Sequence, residues 1–124
     1  MATAKDFTEL IVWQKSHELA VDIYKMTGQF PKSEMFGLAS QMQRCAVSVP
    51  SNIAEGFERH TSKDFSHFLV IARGSCAELR AQLLIARDLG YISADRYTEC
   101  NARCIEISKI ITAFRKKLTT TTND

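Results

Sequence analysis

Apolar residues recur along this chain at spacings of three and four, and no stretch of comparable strength alternates as a strand would. Leu10, Trp13, Ala20 and Tyr24 form one line, and Val12, Leu19, Ile23 and Met26 a second. They predict a helix from about Glu9 to Thr27, ended by Gly28, with Phe30-Pro31 closing the turn. Two lines make a broad apolar arc, wider than a single coiled-coil seam requires. Ser33 is the expected N-cap of a second helix that reaches about Phe57 and turns Met35, Leu38, Met42, Cys45 and Val49 inward. A third begins near Thr61-Ser62-Lys63-Asp64, with the seam Phe65, Leu69, Ala72, Cys76, Leu79, Leu83 and Ala86, and stops at Gly90. Ser93 caps a fourth, whose seam reads Tyr97, Cys100, Cys104, Ile107, Ile111, Phe114 and Leu118. The predicted fold is all-α, an antiparallel up-down-up-down four-helix bundle.

Pro50 falls inside the second of these helices. It has no N–H for the carbonyl of Ala46, and its ring crowds that oxygen, so a kink at Pro50 is expected. Ile53 and Phe57 continue the apolar spacing beyond it, which favours one bent helix over two short ones.

Length changes the picture only by fixing the number of units: 124 residues suit a single domain, 1–124, with a core over 7–118 and a polar tail, 119–124, expected to fray. No apolar run is long enough to span a membrane, and the first residues lack a signal-peptide core, so a cytoplasmic location with no membrane partner is expected. Cys45, Cys76, Cys100 and Cys104 all lie on apolar stripes and are read as buried free thiols. His17, His60 and His67 have no metal-ligand spacing, and there is no nucleophile elbow or phosphate loop. The expectation is therefore a non-enzymatic protein without cofactor or metal. His17 is placed on the apolar line of the first helix.

Three blocks carry a family likeness. They are Phe7-x-x-Leu10-x-Val12-Trp13-Gln14-Lys15, Phe30-Pro31-x-x-Glu34-x-x-Gly37-Leu38, and Arg44-x-Ala46-Val47-Ser48-Val49-Pro50-Ser51-Asn52-Ile53-Ala54-Glu55-Gly56. With Phe68-Leu69-x-Ile71-Ala72-x-Gly74-Ser75-x-x-Glu78-Leu79 and Leu89-Gly90-Tyr91, the chain resembles the bacterial four-helix-bundle proteins associated with ribosomal RNA intervening sequences. Related to these is the accessory variability protein of diversity-generating retroelements, a basic pentamer that works with a reverse transcriptase and nucleic acid. The resemblance implies a four-helix protomer assembled into a ring-shaped homopentamer. The association with ribosomal RNA is genomic, since some members are encoded within intervening sequences.

Two sets of polar residues stand out. Arg44, Ser48, Asn52 and Glu55 follow at steps of four, four and three, one continuous polar line on a helix. With Ser75 and Glu78 they are read as an inter-helix or inter-protomer network in which Arg44 pairs with Glu55 or Glu78. Gly37, Gly56 and Gly74 are read as points of close helix approach. The second set, Arg73, Arg80 and Arg87, then Arg96, Arg103 and Lys117, recurs at sevens on the third and fourth helices as candidate nucleic-acid contacts. Residues 62–118 carry a net charge of +4 and residues 1–61 a net of −1, so the weak positive field is one-sided. Glu99 and Glu106 lie within helical reach of Arg96 and Arg103, and the rows lack aromatic platforms for stacking bases. The sequence therefore favours a homo-oligomeric scaffold or adaptor, pentameric as the resemblance implies, with itself and another protein as partners. The alternative is an RNA- or DNA-binding accessory factor using the basic face.

Overall fold

A computed structural model describes residues 4–120. Helices α1 (Ile11–Thr27), α2 (Leu38–Phe57), α3 (Ser62–Asp88) and α4 (Ala94–Thr120) make up nearly all of it, and no strand occurs among the described residues. Helix α1 packs on α2 and α4, and α3 packs on α2 and α4, while the backbones of α1 and α3 stay apart. The four helices thus surround one core with α1 and α3 on a diagonal, the arrangement of a bundle. Contacts pair late α2 with early α3 (Gly56 with Phe65) and mid α2 with mid α3 (Ser48 with Ser75). Early α3 likewise meets late α4 through Ser66 and Arg115, and late α3 meets early α4 through Arg87 and Tyr97.

The seams read from the sequence form the interior. Ile23, Met42, Ile53, Leu69, Leu79, Leu83 and Ile111 are fully enclosed, each contributing about 2 kcal/mol by burial. Thr61 Oγ1 caps α3 by accepting from the Asp64 N–H at 3.1 Å, and Ser93 Oγ does the same for Arg96 at 3.0 Å. Between them, Gly90 closes the C-terminal end of α3 in the left-handed region at φ +78°.

Other local expectations are corrected. Helix α1 starts at Ile11 because Phe7–Glu9 form a 3-10 turn, with Asp6 accepting from Thr8 N–H, and Leu10 is extended. Ser33 lies in a second 3-10 turn, Lys32–Glu34, and does not cap α2. That role falls to Glu34, whose Oε1 accepts from the Leu38 N–H at 3.0 Å. Met35, expected inside, is exposed, as is Tyr24. The fourth helix continues through Thr120, with Thr119 Oγ1 donating to the Lys116 carbonyl, so the first two residues of the expected tail are helical; the others, 121–124, lie outside those described.

Helix α2 runs unbroken through a buried Pro50, a single element. Six residues on, Gly56 is a true close approach: a Cβ there would stand 2.8 Å from Phe68 Cβ and 2.9 Å from Phe65 Cδ1. Gly74 is not, for a Cβ there would meet nothing within 4 Å. A glycine in mid-helix costs about 1 kcal/mol relative to alanine, and within the protomer no contact requires one at 74.

Candidate interaction surfaces

In the polar line of α2, Ser48 and Asn52 join a bonded cluster with Ser75, Glu55 pairs with Arg59, and Arg44 makes no ion pair among the described residues. Ser48 Oγ and Ser75 Oγ lie 2.8 Å apart, and Asn52 Nδ2 donates to Ser48 Oγ at 3.0 Å and to the Ser48 carbonyl at 2.8 Å. Cys45 Sγ donates to the Ser75 carbonyl at 3.1 Å. This cluster fastens α2 to α3 inside one protomer. Within the protomer Arg44 and Glu55 do not pair: eleven residues of one helix separate them, and Glu55 is engaged by Arg59 one turn on at 2.9 Å. Arg44 and Glu78 are both exposed, and neither makes an ion pair among the described residues.

The basic rows also divide. Arg87 pairs with Asp88 at 3.0 Å and covers the Tyr97 ring, Arg96 pairs with Glu99 at 2.7 Å, and Arg103 donates to Asp22 of α1 at 2.7 Å. Those three charges are neutralised locally. Arg73 and Arg80 bond only to neutral acceptors on α4, Thr112 Oγ1 at 3.2 Å and Asn101 Oδ1 at 2.8 Å, and so keep their charge. Lys117, at the end of the row, is exposed.

Helices α3 and α4 enclose a shallow groove of about 410 Å³ lined by Arg80, Ser108, Lys109, Thr112 and Lys116, with Ile105 and Ala113 as its apolar floor. Among the described residues no carboxylate lines it, and neither lysine is ion-paired. Lys109 and Lys116 were not among the expected contacts, although they stand seven residues apart, the period that picked out the arginines. Asp22, which removes Arg103 from the basic face, had no signal in the sequence because its partner lies 81 residues away.

A second groove, about 530 Å³, lies between α1 and α2 and is almost wholly apolar. Trp13, Val21 and Tyr24 form one wall, and Val47, Pro50 and Ala54 the other. His17, expected in the seam, is instead exposed and stacks on Trp13 with ring centroids 4.8 Å apart. Lys25 closes one end.

The outer side of α3 forms a third surface. Val70, Ile71, Leu84 and Ile85 are exposed there, with Gly74, Ala77 and Ala81 between them. At the end of the bundle where Tyr91 reaches Glu34, Phe36 is 92% exposed. Small residues flanked by exposed aliphatic ones leave a low apolar ridge opposite the core seam.

The cysteines carry no such chemistry. All four are buried free thiols. Burial pushes Cys45 and Cys104 up to about 12 and Cys76 up to about 11, and raises Cys100 as well. They remain protonated at neutral pH, which removes the thiolate a nucleophile would need. Among the described residues no three His, Cys, Asp or Glu come together as metal ligands, and no helix is long and apolar enough to cross a membrane.

Fold and surfaces together define a four-helix protein whose uncommitted features are an apolar ridge, an apolar groove and a basic groove. The chain belongs to the 23S rRNA-intervening sequence protein family, whose model matches residues 8–113. It is also similar to the crystal structure of a protein of unknown function from the S23 ribosomal protein family of Bacteroides thetaiotaomicron. The two are 28% identical with a TM-score of 0.77, over 86% of this chain and 99% of that one. No curated protein matches.

Proposed function

We propose that the chain is a non-enzymatic subunit of a homo-oligomeric scaffold or adaptor, assembling as the pentamer that its family resemblance implies. The outer face of α3 carries this reading: four exposed aliphatic side chains and a run of small ones cover a helix face that has no partner in the protomer. Contiguous apolar surface of this kind marks an interaction site. Light scattering should give a particle of about 70 kDa, five times the 14.0 kDa chain. Ala77→Arg/Ala81→Arg, which adds bulk and charge to the ridge at two exposed positions, should yield the 14.0 kDa protomer with its helicity intact. A wild type that stays monomeric at micromolar concentration refutes the proposal.

A second reading, nucleic-acid binding, is supported by the α3–α4 groove. Its cations Arg80, Lys109 and Lys116 have no carboxylate beside them, and Arg73 is held near by Thr112. Low-salt anisotropy with a labelled single-stranded RNA and a DNA duplex is the test, with affinity expected to fall steeply as salt rises. Lys109→Glu/Lys116→Glu should abolish that binding, whereas Arg96→Glu, which removes an already paired charge, should leave most of it. Equal binding by wild type and the double lysine variant excludes this groove as the contact.

A further inference from the structure

The ridge on α3 and the groove between α1 and α2 are apolar surfaces of opposite relief on different sides of one protomer. We infer that the ridge of one copy seats in the α1–α2 groove of the next, a head-to-tail joint; this rests on the homo-oligomeric reading above. The lengths agree. Val70 to Leu84 spans about 21 Å of helix, and Trp13 to Tyr24 about 17 Å, at 1.5 Å per residue.

Charge agrees as well. Among the described residues Glu78 stands on the ridge without an ion pair, while Lys25, which lines the groove, has none either. Seating ridge in groove brings that carboxylate toward the Lys25 ammonium. A symmetric ridge-on-ridge contact would instead bring two Glu78 carboxylates together and leave the groove bare, a like-charge contact that disfavours it.

Gly74 gains a reason in this joint. Its missing Cβ relieves no contact inside the protomer, but at the crest of the ridge it lets a second backbone approach closely. Because the groove lies between α1 and α2 and the ridge on the outer side of α3, both are available on each copy at once. Repetition of such a joint closes into a ring when the rotation permits.

The experiment uses two variants of the full chain, each substituted at positions exposed in the protomer. One has a blocked ridge (Ala77→Arg/Ala81→Arg) and the other a blocked groove (Val21→Arg/Ser51→Arg), with helicity checked by circular dichroism. Each alone should be monomeric by light scattering. Mixed one to one and trapped with a carbodiimide, they should give a heterodimer of about 28 kDa and nothing larger, because only one intact joint can form. The inference is overturned if the groove variant assembles like wild type, or if the trapped mixture contains no heterodimer although wild type assembles. A monomeric wild type instead defeats the homo-oligomeric reading itself, so the two failures are distinct.

Discussion

Tyr91 donates its hydroxyl to Glu34 Oε2 at 2.8 Å, while Glu34 Oε1 accepts the Leu38 N–H at 3.0 Å. A single carboxylate thus caps α2 and ties the α3–α4 turn to the α1–α2 turn. The bond from the Leu38 N–H, and after it the one from Tyr91, holds the Glu34 carboxyl below its ordinary value of 4.5. Accepting the same proton, Glu34 raises Tyr91 above its ordinary 10.0.

These directions fix the pH dependence of the tie. Glu34 is depressed in the folded state, so its contribution is present above pH 4.5 and is lost as pH falls through the lowered value. Tyr91 is raised, so its contribution is present below pH 10 and is lost as pH rises through the raised value. The difference in melting temperature between wild type and Tyr91→Phe should therefore be flat through neutrality and shrink at both extremes. Gly37→Ala should mimic part of the defect, because its Cβ would lie 2.8 Å from the capping Glu34 Oε1.

Gly56 and Gly74 should respond oppositely to alanine. At 56 the added methyl collides with Phe68 and Phe65, and overpacking of this kind costs about 1–3 kcal/mol. At 74 nothing is struck, and the gain in helix propensity should stabilise the isolated protomer by roughly 0.5–1 kcal/mol. Urea unfolding of the two variants, with Gly74→Ala measured in the blocked-ridge background, distinguishes them.

The four thiols should be silent toward a disulfide reagent at pH 8 in the native state and all react once the chain is unfolded. Burial is the principal cause of their raised values, so labelling must wait for opening of the bundle. Rapid labelling of any of them in native buffer would contradict the packing described here.

Arg103 and Asp22 bridge α4 and α1 at 2.7 Å in a partly solvated position. A double-mutant cycle through Asp22→Asn and Arg103→Gln should give a coupling of about 1 kcal/mol or less, diminishing with salt. The same pairing predicts that Arg103→Glu weakens the bundle more than it weakens any nucleic-acid binding.

Seam residues were the most legible part of the sequence. Leu69, Cys76, Leu79, Leu83, Cys100, Cys104, Ile107 and Ile111 were all placed inside by spacing alone, and all are buried. Periodicity detects an inward face well because one helix supplies the whole signal. It detects partnership poorly. Charge alone offers Arg44 either Glu55 or Glu78 as a partner, yet within the protomer Glu55 pairs with Arg59, one turn from it. Asp22 and Tyr91 act on residues far along the chain, and nothing local to Arg103 or Glu34 announces them. Met35 was lost for a different reason. The second helix begins at Leu38, so Met35 falls in the preceding turn, where helical spacing assigns no face.

Helix α3 has no idle side. One face fills the core, Arg73 and Arg80 reach across one flank to α4, Ser75 holds α2 on the other, and the remaining face is the ridge. Random substitution should therefore be tolerated least along 62–88, while the solvent side of α4 around Thr98, Ala102 and Lys109 can drift without disturbing the fold. A library sorted first for folded protein and then for assembly would map that difference directly: positions in α3 that pass the first sort and fail the second trace the ridge residue by residue.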